Sequence, residues 1–159
     1  MRVLIIYPDI CIAAGRFQEG IGYIASLLKE GGHTPYLMHL EKEPSEKEFI
    51  RKVSSIAPDL IGFSATTNQY PYVKKLSKWI KGYSDIPVIC GGIHPTLSPE
   101  EVIAEDSIDV LCIGEGEYPM LELANKMVTG DDISNIRNLW VKQNGHVIKN
   151  PLRPLRKFG

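Results

Sequence analysis

Cysteine is scarce in this 159-residue chain, and Cys11, Cys90 and Cys112 form neither an even set nor a close pair. That excludes a disulfide framework and zinc-type CxxC spacing, and points to a reducing, cytoplasmic setting. No charge of one sign dominates, since 18 Lys and Arg stand against 19 Asp and Glu. There is therefore no net field to gather nucleic acid or an anionic membrane surface. Long hydrophobic runs are missing too: Val3 to Ile6 is shorter than a signal peptide core, and no apolar stretch reaches the length of a membrane span. His33, His39 and His146 have no metal-ligand spacing with one another or with the cysteines, and read as surface or strand residues. No internal repeat or low-complexity tract interrupts the chain. These absences leave a single domain whose expected ligand is a specific one.

What is present is a set of short, β-branched apolar runs: Val3 to Tyr7, Tyr36 to Leu40, Leu60 to Ser64, Val88 to Cys90 and Val110 to Ile113. Each reads as a strand buried on both faces. Helical periods lie between them. Ile21, Ile24 and Leu28 share a face and run into Gly31-Gly32, a helix stop. Ser45 with Glu48, ahead of Phe49, Val53 and Ile56, reads as a capping box, as does Ser98-Pro99-Glu100-Glu101. Val73, Leu76 and Ile80 form a third stripe, and Pro119 opens a fifth through Met120, Leu123 and Met127.

Such alternation predicts a flavodoxin-like, Rossmann-type α/β fold: a five-stranded parallel sheet of order 2-1-3-4-5. Asn144-Gly145 between Leu139 to Lys142 and His146 to Lys149 predicts a C-terminal β-hairpin appended to it. The expected division is an α/β domain over 1-135, the hairpin over 136-150, and a linker over 151-159. Trp79 and Trp140 read as packing residues, and Lys74, Lys75, Lys78 and Lys81 as a solvated helix face.

Ligands of open α/β sheets bind beyond the carboxyl ends of the strands, so the loops there carry the candidate site. Pro8 to Glu19 is long for such a loop and could cover a ligand. Ser64-Ala65-Thr66-Thr67-Asn68 offers small hydroxyl and amide groups, or simple helix capping. Gly91-Gly92-Ile93-His94-Pro95-Thr96 lacks two side chains, which suits either a turn or close approach by a bulky ligand. Gly114-Glu115-Gly116-Glu117 frees the backbone again, but its carboxylates disfavour a phosphate.

Gly20-Ile21-Gly22-Tyr23-Ile24-Ala25 also fits a dinucleotide fingerprint, with Glu41 near the ribose-binding position. The fit fails in one respect, because the glycines do not follow directly on the first strand. A phosphoacceptor receiver domain needs an aspartate where Ser64 stands, and flavin binding needs a hydroxyl-rich loop after strand one.

Taken in order, Gly20 to Leu28 through Gly32-His33, Pro58 to Ser64, Gly91 to Thr96 with Pro99-Glu100-Glu101, Asp109-Val110 and Gly114 to Glu117 resemble the cobalamin-binding module of radical S-adenosylmethionine enzymes. The likeness extends over residues 1 to 155, and in that family the Pro-Leu-Arg-Pro-Leu exit leads into a catalytic barrel. It implies a corrinoid held against the strand ends, with its nucleotide tail between sheet and helix. By this resemblance Ser64, Thr66, Thr67, Gly91 and Gly92 line the tail. The first loop, from Pro8, and the last two loops, with His94, Pro95, Thr96, Gly114, Glu115 and Gly116, sit near the ring.

The family's CxxxCxxC signature is absent, so S-adenosylmethionine and an iron-sulfur cluster would belong to a downstream radical domain. Methyl transfer and oxidative ring closure are both implied outcomes. Other cobalamin modules carry Asp-x-His-x-x-Gly after strand one, which Asp9-Ile10-Cys11-Ile12-Ala13-Ala14 does not match. Cys11 and His94 are then the only soft or imidazole groups near the mouth; they read as an inert buried cysteine and a hydrogen-bonded loop histidine, and the expected lower ligand of cobalt is water or none.

Overall fold

A computed structural model describes residues 1–10 and 18–154. Strands β1 (Arg2–Pro8), β2 (Thr34–Leu40), β3 (Leu60–Ser64), β4 (Val88–Gly91) and β5 (Val110–Cys112) pair in parallel in the order β2-β1-β3-β4-β5. This is the expected order. The hairpin strands β6 (Leu139–Gln143) and β7 (His146–Lys149) do not stand apart as an appendage. They continue the same sheet to seven strands, β6 pairing antiparallel with β5. Asn144 and Gly145 both have positive φ, 52° and 76°, the mirror-type turn that matches hairpin twist.

Helices α1 (Glu19–Glu30) and α6 (Glu117–Thr129) lie side by side on one face. The other face carries α2 (Glu46–Ile56), α3 (Tyr70–Tyr83), α4 (Ile93–Leu97) and α5 (Pro99–Ile103). Strand alternation feeds the two layers: Leu4, Ile6, Ile61 and Phe63 enter one core, Val3, Ile5, Leu60 and Ile89 the other.

Three expectations need correction. The strand β2 is not buried on both faces: it is the sheet edge among the described residues, and Tyr36 and Leu37 are exposed. Ser98 does not cap α5 with its side chain; it closes α4 and opens α5 at once, and its backbone N–H is spent on the His94 carbonyl at 2.8 Å. His33, expected at the surface or in a strand, is buried just before β2, its Nε2 within 2.9 Å of Asn125 Oδ1.

Other local readings hold. Ser45 Oγ accepts from Glu48 N at 3.3 Å, an N-cap worth about 1 kcal/mol. At the end of α1 the His33 N–H donates to Leu28 O and Gly32 N–H to Lys29 O, a Schellman closure that needs the positive φ of Gly32, 79°. Trp79 packs near Phe49 with ring centres 5.9 Å apart. The lysine face of α3 is laced by ion pairs to Glu43, Glu105 and Asp109.

Candidate functional site

The side chains facing α1 and α6 recur at every second position of the central strands, and that row has a gap. Gly62 lies in register between Ile5 of β1 and Ile89 of β4, so one side chain is missing from the middle of the floor, and the Met120 methyl from α6 reaches toward the place, 3.1 Å from where a Cβ would stand. Two positions further along β3, Ser64 pairs with Gly91, which is missing a side chain in turn. Cys112 closes the row on β5. Ile21 and Ile24 of α1 and Met120 of α6 form the roof. The result is an apolar slot of about 180 Å³, opening at the carboxyl ends of β1, β3, β4 and β5. Strand order reverses between β1 and β3, where ligands of such sheets bind.

Six of the residues singled out from the sequence line this slot: Ser64, Gly91, Gly92, Gly114, Glu115 and Gly116. The Ser64 hydroxyl is half-buried and has no hydrogen bond among the described residues. Gly91 and Gly116 keep the floor and rim open, since an added Cβ would stand 3.4 Å from Cys112 Cβ and 3.4 Å from Ile24 Cδ1 respectively. Gly92 has a different cause. Its φ is 105°, and a Cβ there would stand 2.8 Å from both the N and O of Ala65. It is glycine first because two stretches of main chain touch, held by Ala65 N–H to Gly91 O and His94 N–H to Ala65 O, both 3.0 Å.

The other six do not line it. Thr66 and Thr67 follow β3 onto the opposite side, and neither caps α3 with its side chain. Instead the Thr66 N–H donates to Gln69 Oε1 at 2.9 Å. His94 is buried there as well, its ring 4.3 Å from that of Tyr70, its Nδ1 3.3 Å from Thr67 Oγ1 and its Nε2 3.6 Å from Glu101. Pro95 is buried beside it. Thr96 ties two loops together, donating to Gly92 O at 2.8 Å and accepting from Gly114 N at 2.9 Å. Pro8 is buried at the end of β1. Of the first loop, Asp9 pairs with His39 Nε2 at 3.0 Å, while Cys11 lies outside the described residues.

Sequence reasoning passed over Ile5, Ile24, Gly62, Cys112 and Met120 as lining residues. Gly62 carried a signal, because glycine inside a strand marks a close approach or an open space. Cys112 is buried, and burial first, then the nearby Glu117 carboxylate, pushes its thiol up to about 12 while Arg153 opposes. At neutral pH it is a protonated, apolar wall. A broader cleft adjoins the slot through Gly114, Glu115 and Glu117, and is completed by Arg137, Asn138 and Arg153.

Among the described residues no His, Cys, Asp and Glu group could hold a metal ion, and no helix is long and apolar enough to cross a membrane. The arrangement suits a largely apolar group inserted between the sheet and its roof, with polar attachments at the rim.

The model of the B12 binding domain family matches residues 18–124. An uncharacterised methyltransferase of Pyrococcus horikoshii is 28% identical over 98% of this chain and 36% of its own length. The anaerobic magnesium-protoporphyrin IX monomethyl ester cyclase of Rubrivivax gelatinosus is 29% identical over 97% of this chain and 30% of its own length. The chain thus spans about a third of these relatives. Among solved structures, the radical S-adenosylmethionine methyltransferase TsrM of Kitasatospora setae, with cobalamin and a 4Fe-4S cluster bound, superposes with a TM-score of 0.84 at 18% identity, over 98% of this chain and 30% of that one. OxsB, a cobalamin-dependent S-adenosylmethionine radical enzyme with aqua-cobalamin and S-adenosylmethionine bound, gives 0.81 at 20% identity, over 97% of this chain and 22% of that one. These two likenesses are of fold.

Proposed function

This chain belongs to the B12-binding domain family, and on that premise we propose that the slot takes the nucleotide tail of a cobalamin whose ring lies across the strand ends. The observation that carries the reading is the pair of missing side chains at Gly62 and Gly91, beside a Ser64 hydroxyl that has no partner among the described residues. The Met120 methyl of the roof lies 3.1 Å from where a Gly62 Cβ would stand, so a planar base would enter by displacing the end of this flexible side chain. The residues assigned to the tail are Ser64, Gly91, Gly92 and Gly116, joined by Gly20 and Gly62. Those assigned to the ring's edge are Thr96, Gly114 and Glu115 at the mouth. Thr66, Thr67, His94 and Pro95 are proposed to hold that mouth from behind instead of touching the cofactor.

Bound cobalamin supplies cobalt chemistry that amino acids lack, while the chain binds and orients it. We further propose that the domain serves a larger cobalamin-dependent radical S-adenosylmethionine enzyme, a methyltransferase or oxidative cyclase. The names of the relatives and the share of their length that this chain spans support this reading. S-adenosylmethionine and the cluster would then be held outside this chain, which carries no CxxxCxxC. The buried free thiols Cys90 and Cys112 suit a cytoplasmic setting.

The test is retention of hydroxocobalamin. Mixed with the chain and desalted, its absorption bands should stay with the protein, and Ser64→Leu, which fills the slot, should lose them with the far-ultraviolet dichroism unchanged. Loss of the bands from the parent chain, or their full retention by Ser64→Leu, would overturn the reading.

A further inference from the structure

We infer that the slot selects among corrinoids by their lower base, taking a methylated benzimidazole in preference to a purine. The inference rests on the corrinoid reading above and adds a specificity to it.

The deep end and the rim of the slot differ in kind. Ile5, Ile89, Cys112 and Met120 are only 4%, 2%, 5% and 8% exposed, and they line the deep end, where the Met120 methyl lies over Gly62, 3.1 Å from where a Cβ there would stand. The backbone of Gly62 pairs with both neighbouring strands, so it offers an inserted group little. The Cys112 thiol stays protonated because it is buried, and a thiol is a weak hydrogen-bonding partner. Polar side chains come from half-buried or exposed residues. Ser64 ends β3, Glu115 and Glu117 follow β5, and Gln18 Nε2 is within 3.3 Å of the Tyr7 hydroxyl.

A corrinoid's base is joined to its tail through an imidazole nitrogen, so the opposite edge of the bicycle enters first. In dimethylbenzimidazole that edge carries two methyl groups. In adenine it carries ring nitrogens and an amine. Methyl groups gain by leaving water for the deep end, whereas the amine and ring nitrogens lose hydrogen bonds that nothing there restores. The expected preference is at least tenfold, which corresponds to about 1.4 kcal/mol.

The experiment titrates the 159-residue chain with three corrinoids followed by absorption: cobalamin, its adenine-based analogue, and cobinamide, which has no base. Cobalamin should bind tightest, the adenine form at least about tenfold more weakly, and cobinamide more weakly still. Equal binding of the first two, both above cobinamide, overturns the selectivity while leaving the corrinoid reading intact. Equal binding of all three overturns the insertion of the base, and binding of none overturns the corrinoid reading itself. In Cys112→Ser or Met120→Gln, which place a hydrogen-bonding group at the deep end, the ratio between the first two should fall by about threefold or more. An unchanged ratio in a variant whose thermal melt shows it folded counts against the inference.

Discussion

The side-chain amide of Asn138 donates to the Glu115 carbonyl at 3.2 Å and, through its oxygen, accepts the Arg153 N–H at 2.6 Å. One residue, held at a φ of 72°, thereby ties the loop at the slot's rim to the segment that follows β7. Asn138→Gly keeps the backbone conformation available and removes both bonds. Stability should fall by about 1–2 kcal/mol, and the Arg153 amide should exchange hydrogen faster. Unchanged exchange at Arg153 would mean that the latch does not hold in solution.

Gly92 tests whether the glycine pair after β4 answers to the ligand or to the main chain. Because an added Cβ meets Ala65 backbone at 2.8 Å and φ is 105°, Gly92→Ala should cost about 2 kcal/mol without any corrinoid present. The melting temperature should drop by roughly 4–8 °C. Gly91→Ala, whose Cβ meets Cys112 Cβ at 3.4 Å, should cost much less. Equal losses at the two positions would contradict the assignment.

Alkaline pH should weaken the fold through its buried thiols. Burial raises both Cys90 and Cys112 from an ordinary value of 9.0. A group protonated when folded and ionised when unfolded stabilises fully below the unfolded value, and that contribution drains away above about pH 9. Each thiol should add a slope of about 1.4 kcal/mol per pH unit until the folded group titrates. The urea midpoint should therefore fall above pH 9, and less steeply in Cys112→Ala. A slope that this substitution leaves untouched would show Cys112 to be uninvolved.

The cobalt of the loaded domain should have no imidazole from this chain beneath it. His94 is packed against Tyr70 on the face away from the slot, and the first loop brings Asp9 to His39. In the cobalt(II) state, electron paramagnetic resonance should show no nitrogen splitting, and His94→Ala should leave the spectrum as it was. Nitrogen splitting that vanishes in His94→Ala would place the histidine on the metal.

Much of this was legible in the sequence, and the residues that were not share a cause. Leu60 to Ser64 was read with its observed bounds, because a short apolar run buried on both faces has few other meanings. The same rule failed at Thr34–Leu40, since a run's composition does not say whether anything pairs beyond it. Ile93–Leu97 was read as loop: two glycines precede it, and Pro95 lies inside it, so its single turn depends on the Ala65 contact for its start. For the site, the rule that ligands sit past strand ends found Ser64, Gly91 and Gly114 to Gly116. It could not find Ile5, Met120 or Ile24. Those depend on which face of each strand meets α1 and α6, and strands read as buried on both faces give no such choice.

The walls of the slot have a one-way character. Gly20, Gly62, Gly91, Gly92, Gly114 and Gly116 all border it, and each is already the smallest residue possible. Drift at these positions can add atoms but never subtract them. The largest occupant that the floor admits is thus a property of the main chain's path, inherited with the fold, and point substitution there works only as a ratchet toward narrower tenants. A lineage in need of a roomier site would have to shorten Ile24 or Met120 in the roof, or move a helix.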